Sequence, residues 1–114
     1  MDTIDLSNKK FFSNIVDFIK KMQSKPNQTG IIYNDYYISG IHILNDICKY
    51  LKINDYTYTR NIPYSKIILS NNSEIILTLK YGNIECYRGL TINVVLFCVA
   101  PEDEFFTYIL PMVR

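Results

Sequence analysis

Eight consecutive residues, Ile92-Asn93-Val94-Val95-Leu96-Phe97-Cys98-Val99, offer no polar face beyond Asn93. A strand that reads this way needs cover on both sides, which points to an interior position in a sheet flanked by helices. A chain of 114 residues has room for one such core. A single domain over residues 1–114 is therefore expected.

The segments before the run supply the covering layers. Phe11, Phe12, Ile15, Val16, Ile19 and Met22 recur at helical spacing, with Asn14, Asp17, Lys20 and Lys21 on the other face, so an amphipathic helix is expected over residues 11–22. Ser24-Lys25-Pro26-Asn27 should end it, because proline cannot continue the backbone ladder. Residues 29–33 read as a short strand. Asn34 or Asp35 is suited to cap a second helix whose apolar positions are Ile38, Ile41, Leu44, Ile47, Cys48 and Leu51. Beyond Asn54-Asp55 the period changes to two, with Tyr56, Tyr58 and Arg60 alternating with Thr57 and Thr59. Residues 66–69 and 74–79 flank Ser70-Asn71-Asn72-Ser73, the pattern of an antiparallel hairpin. After the apolar run, Pro101 suits the first turn of a helix that Glu102, Asp103 and Glu104 stabilise at its positive end and that Pro111 stops. The expected architecture is α/β, with a largely parallel sheet, flanking helices and an antiparallel edge hairpin.

Twelve basic and eleven acidic residues give a net charge of +1, so no global charge drives nucleic-acid binding and only a local patch is left to do so. Lys9, Lys10, Lys20, Lys21 and Lys25 are the candidates for that patch; Asp2, Asp5 and Asp17 among them favour an ordinary solvated face. No stretch approaches the ~18 apolar residues of a membrane span, and the acidic start Met1-Asp2-Thr3-Ile4-Asp5 resembles no signal or transit peptide. An intracellular site without membrane association is expected. Cys48, Cys86 and Cys98 are too widely spaced for a disulfide framework or a zinc site, and read as buried reduced thiols. His42, between Ile41 and Ile43, reads as a structural or partly exposed histidine. Tyr56, Tyr58, Tyr64, Tyr81 and Tyr87 fit either a partner surface or half-buried sheet positions. Glu102, Asp103 and Glu104 read as surface groups at a helix start rather than metal ligands.

Arg88-Gly89, the apolar Val94-Val95-Leu96-Phe97, Ala100 and the downstream Glu104-Phe105-Phe106 together resemble the surroundings of the second nucleotide motif in the large terminase ATPases, the DNA-packaging motors of viruses. Ser70-Asn71-Asn72-Ser73-Glu74-Ile75 is similar to a hairpin of that family, and Leu6-Ser7-Asn8-Lys9-Lys10 stands where its phosphate loop would open the first helix. The resemblance covers nearly the whole chain in order and implies a P-loop-NTPase-like fold. It also implies lost catalysis. Asn8 replaces the loop glycine and Lys10 the hydroxyl that would hold magnesium; Cys98 and Val99 stand in place of the Asp that helps to hold magnesium and the Glu that orients water. A thiol is a poor ligand for a hard cation, and a valine is no base.

The resemblance thus implies a small viral protein with a degenerate ATPase core, with no catalytic residue, metal or cofactor. Such a protein would act by binding a viral or host protein in packaging, in the virion or against host defence, inside the host cytoplasm or the virion. The alternative is a residual nucleotide- or nucleic-acid-binding module, weak in affinity, with Lys9 and Lys10 as vestigial nucleotide contacts and Lys20, Lys21 and Arg88 as phosphate contacts.

Overall fold

The computed structural model describes residues 4–52, 55–61, 64–79 and 90–114. Its strands are β1 (Phe11–Phe12), β2 (Thr29–Asn34), β3 (Tyr56–Asn61), β4 (Tyr64–Leu69), β5 (Glu74–Leu79) and β6 (Val94–Phe97). Two helices, α1 (Ile15–Ser24) and α2 (Tyr37–Tyr50), interrupt them, and a π-helical turn at Phe105–Ile109 runs into a 3-10 turn at Leu110–Met112. The expected positions Cys86, Arg88 and Gly89, and with them Tyr81 and Tyr87, lie outside the described residues.

All six strands form one sheet in the order β1-β6-β2-β5-β4-β3. The β1/β6, β6/β2 and β2/β5 pairs are parallel, whereas β5/β4 and β4/β3 are antiparallel. The chain is α/β, but its sheet is mixed rather than largely parallel. Parallel neighbours need a crossover of about a dozen residues; the four residues between β4 and β5 allow only an antiparallel return. Residues 70–73 make that turn, with Asn72 at φ 66°, a conformation asparagine tolerates better than most residues.

Register sorts the side chains into two cores. Ile32 lies between Leu96 and Leu77, and these pack with Phe18, Ile19 and Met22 of α1 and Ile41, Leu44 and Ile47 of α2. On the opposite face Ile31, Tyr33, Val95 and Phe97 meet Phe105 and Ile109. The Phe105 ring stands edge-on to Tyr33 at 5.3 Å and to Phe97 at 5.0 Å. The strand at residues 92–99 is thus interior and covered twice, although its ladder is confined to Val94–Phe97.

Several expected boundaries move, each for a local reason. Phe11 and Phe12 belong to an edge strand, not to the first helix: the Asn14 side chain accepts from the backbone N–H groups of Val16 and Asp17 at 2.8 and 3.2 Å, starting α1 at Ile15. Two adjacent apolar residues fit either period, and here they alternate, Phe11 into one core and Phe12 against the other. The second helix is preceded by Tyr36 without a side-chain cap, because the Asn34 amide is drawn instead to Ser39 Oγ at 2.9 Å. Its buried stripe runs through Gly40, Ile41, Leu44 and Ile47 with Tyr37 beside it, which leaves Ile38 73% exposed. Gly40 is needed there, since an added Cβ would stand 2.6 Å from Leu77 Cδ1. Pro111 lies within the final 3-10 turn instead of stopping an α-helix.

Leu96 is 1% exposed between the two layers. Leu96→Asp would put an unpaired charge there, at a cost of more than about 4 kcal/mol. The expected outcome is loss of the cooperative thermal transition by circular dichroism; a variant melting within a degree or two of the parent would show this strand to be exposed.

Candidate functional site

Because β1, β6 and β2 run parallel, their amino ends gather at one end of the sheet. Lys9 and Lys10 immediately precede β1, and the Lys10 carbonyl accepts from Val95 N–H at 2.8 Å. Asn93 precedes β6 and Asn27 and Gln28 precede β2. The last turns of α1 bring Lys21 and Lys25 to the same place. Arg114 arrives from the chain's other end, its N–H donating to the Ile92 carbonyl at 2.8 Å.

A cavity of about 330 Å³ opens among Lys9, Lys10, Lys21, Lys25 and Arg114, with Asn27, Gln28 and Asn93 between them. No acidic side chain lines it. A second cavity of about 510 Å³ shares Lys9 and Lys21 with the first and continues to Lys20, Asp17, Phe12 and Leu6. The two form one groove along the β1 edge, holding six of the twelve basic residues and one of the eleven acidic ones. The ion pairs among the described residues, Lys49–Asp46 and Lys66–Glu74, lie elsewhere. Among the described residues the groove lysines form no ion pair, and the Arg114 guanidinium donates to the Pro111 carbonyl at 3.3 Å.

A helix carboxyl end normally repels anions through its unpaired carbonyls. Here they are covered. Gln28 Nε2 lies 2.9, 3.2 and 3.1 Å from the carbonyls of Lys21, Met22 and Lys25, and Asn71 Nδ2 donates to those of Met22 and Lys25. Asn93 Oδ1 accepts from Thr29 N–H at 2.8 Å and Asn27 Oδ1 from Asn72 Nδ2 at 2.8 Å. Those bonds use the amide oxygens of Asn27 and Asn93, both of which line the cavity.

The carboxyl ends of the same strands have the opposite character. Cys98 and Val99 follow β6 there, next to Asp35 and the acidic 102–104 stretch. Burial, and then the Asp35 charge, pushes the Cys98 thiol up to about 11, so it is protonated at neutral pH. Burial also raises the Cys48 thiol, against a hydrogen bond with Tyr56, and both cysteines are free. Glu104 is engaged by Tyr33, whose hydroxyl donates to Oε1 at 2.8 Å. Among the described residues no group of three His, Cys, Asp or Glu side chains is arranged to hold a metal ion. His42 is exposed on α2. No helix among the described residues is long and apolar enough to cross a membrane.

Sequence spacing offered Lys9, Lys10, Lys20, Lys21 and Lys25 as candidates for a basic patch while favouring an ordinary solvated face; the fold places all five in the lining of the two cavities. The spacing gave no sign of Arg114 or Asn27, which reach the groove only through tertiary pairing; Asn93 stood out only as the lone polar residue of the apolar run. Lys9 and Lys10 sit at the amino end of β1, whereas a phosphate loop opens a helix at the carboxyl end of its strand. Tyr56 and Tyr58 are half-buried against the main core, while Tyr36, Tyr50 and Tyr108 are exposed. No protein-family model, curated protein or solved structure matches the chain.

Desolvation first, and then the hydrogen bond and charge of Glu104, hold the Tyr33 hydroxyl proton well above the ordinary phenol range. Below pH ~10 folded and unfolded chains both keep that proton and the stabilisation is complete. Above it the unfolded chain releases the proton first, so stability falls as pH rises toward the folded value. Tyr33→Phe should melt lower than the parent at pH 8, by about 1 kcal/mol of lost hydrogen bonding, and should lose less on going to pH 11. Equal alkaline losses in thermal melts of the two proteins would contradict this coupling.

Proposed function

We propose that this chain is a non-hydrolysing binding module that takes the phosphates of a polyanion along its amino-end groove. The observation that supports it best is the joined pair of cavities, in which six cations from three separate stretches of chain converge around one carboxylate. Lysines and arginine placed this way replace the counterions of a phosphate chain and gain affinity from their release. The net charge of +1 supplies little long-range attraction, so binding is weak and falls steeply with salt.

A second reading follows from the terminase resemblance. In it the domain is a P-loop-NTPase-like pseudo-ATPase that acts through a viral or host protein, in packaging, the virion or anti-defence. Tyr36 and Ile38, 67% and 73% exposed at the start of α2, favour a protein contact. The position of Lys9 and Lys10 lends this reading no phosphate geometry, because the carboxyl ends of β1 and β6 are the acidic ends. Both readings share the absence of turnover.

Fluorescence anisotropy with a labelled oligonucleotide is the test. Micromolar binding at low salt, weakening at least about tenfold toward physiological salt, is expected for the parent. The Lys9→Glu/Lys21→Glu/Lys25→Glu variant should lose it while melting normally. Binding unaffected by the three reversals would remove the groove from the reading. In the same preparations no magnesium-dependent ATP hydrolysis above background is expected, since Cys98 and Val99 supply neither a hard-cation ligand nor a base; turnover abolished by Lys9→Ala would restore a catalytic assignment.

A further inference from the structure

We infer that the groove selects single-stranded nucleic acid, with an unstacked base laid on Phe12 and Leu6 and the flanking phosphates among the lysines of the inner cavity. This rests on the polyanion reading and narrows it to one class of ligand.

The two cavities differ in the chemistry they present. The inner one is lined mainly by cations and amides, with no acidic side chain. The outer one has an apolar floor made by Leu6, 49% exposed, and the half-buried Phe12 ring. Asp17 stands in its wall, where it would repel a phosphate but would accept a hydrogen bond from a base amino group. Lys9 and Lys21 border both cavities, so a phosphate next to the base meets cations on entering and on leaving. A duplex presents sugar and phosphate outward and keeps its base faces stacked; an apolar floor beside an aromatic ring gains nothing from it. A single strand turns its base faces out, and stacking on a side-chain ring tolerates any sequence.

The groups that could read a base edge in the outer cavity stand on exposed, solvated positions. The Ser24 hydroxyl proton is given to the Lys21 carbonyl at 2.6 Å and that of Ser7 to Asp5 Oδ1 at 2.6 Å, so both can only accept. Asn8 Oδ1 accepts from Lys10 N–H at 3.1 Å, leaving its amide nitrogen to donate. Strand preference without strong sequence preference is the consequence.

The test compares a single-stranded oligonucleotide, its duplex and inorganic polyphosphate at one ionic strength, with 2-aminopurine placed in the single strand to report stacking. Expected are single-strand affinity about fivefold to tenfold above that of the duplex and of polyphosphate, and a change in 2-aminopurine emission on binding. Phe12→Ala, or Leu6→Ala where the former fails to fold, should lower single-strand affinity severalfold and leave polyphosphate binding unchanged. Equal affinity for all three ligands with unchanged 2-aminopurine emission would overturn the single-strand assignment while leaving the polyanion reading in place. Failure of all three to bind would remove both.

Discussion

The carboxyl end of α1 is closed by side-chain amides, and the placement of three elements depends on that closure. Gln28, only 8% exposed, directs its amide at the carbonyls of Lys21, Met22 and Lys25. Its own N–H donates to Ser73 Oγ at 3.0 Å, and its carbonyl accepts from Glu74 N–H at 2.8 Å. Asn71 adds a second cover from the β4–β5 turn. Helix end, start of β2 and hairpin turn are thereby locked together, which fixes the β2/β5 register at Thr29 opposite Glu74. Leaving those carbonyls unmet in a part-buried site would cost about 1–3 kcal/mol each. Gly30 completes the joint, since any Cβ there would stand 2.6 Å from Met22 Sδ.

That joint also decides where charge accumulates. With α1 pinned over the amino end of β2, Lys21 and Lys25 cannot spread along the surface; they face the residues that precede β1 and β6. Four acidic residues stand at the other end, where Asp35 follows β2 and Glu102, Asp103 and Glu104 follow β6, while Asp17 and Glu74 stay at the amino end. A net charge of +1 therefore conceals an excess of cations around the amino-end groove and a smaller acidic cluster beyond the carboxyl end of β6.

The parts of this arrangement legible in the sequence are those set by short-range chemistry. An unbroken apolar run can only be an interior strand, and Asn71-Asn72 between two apolar stretches can only turn. Lys9, Lys10, Lys20, Lys21 and Lys25 were visible as candidates for a basic patch because they flank one helix, although Asp2, Asp5 and Asp17 among them favoured a solvated face. Phe11-Phe12 was not legible as a strand, since two residues satisfy both periods and the deciding event is the Asn14 cap. Ile38 was misplaced because Tyr37, one position away, fills the same stripe, and a helix can turn by 100° without breaking its spacing. Arg114 depends on pairing with Ile92 across the chain, which no local pattern records. The antiparallel β4/β5 pair was legible in the short connection at residues 70–73; that β3 adds a second antiparallel pair beyond it makes the sheet mixed rather than largely parallel.

The amino-end position of the groove favours the proposed binding reading over a catalytic one. Open α/β sheets build their reactive sites beyond the carboxyl ends of their strands, where loops lead into helix amino termini and backbone N–H groups point at the ligand. At this end of the sheet α1 contributes carbonyls, already capped, and flexible ammonium groups in water. Such groups neutralise phosphate without fixing a reacting atom to within an ångström, as catalysis of transfer requires. Discrimination among polyanions must then come from the one rigid and apolar element within reach, the edge strand β1, whose Phe12 is anchored in the core on one side and open to the groove on the other. On the proposed polyanion reading, the acidic residues beyond β6 add a direction: a phosphate chain would be drawn to the amino end of the sheet and turned away from the end of β6, so the domain would present one face to it.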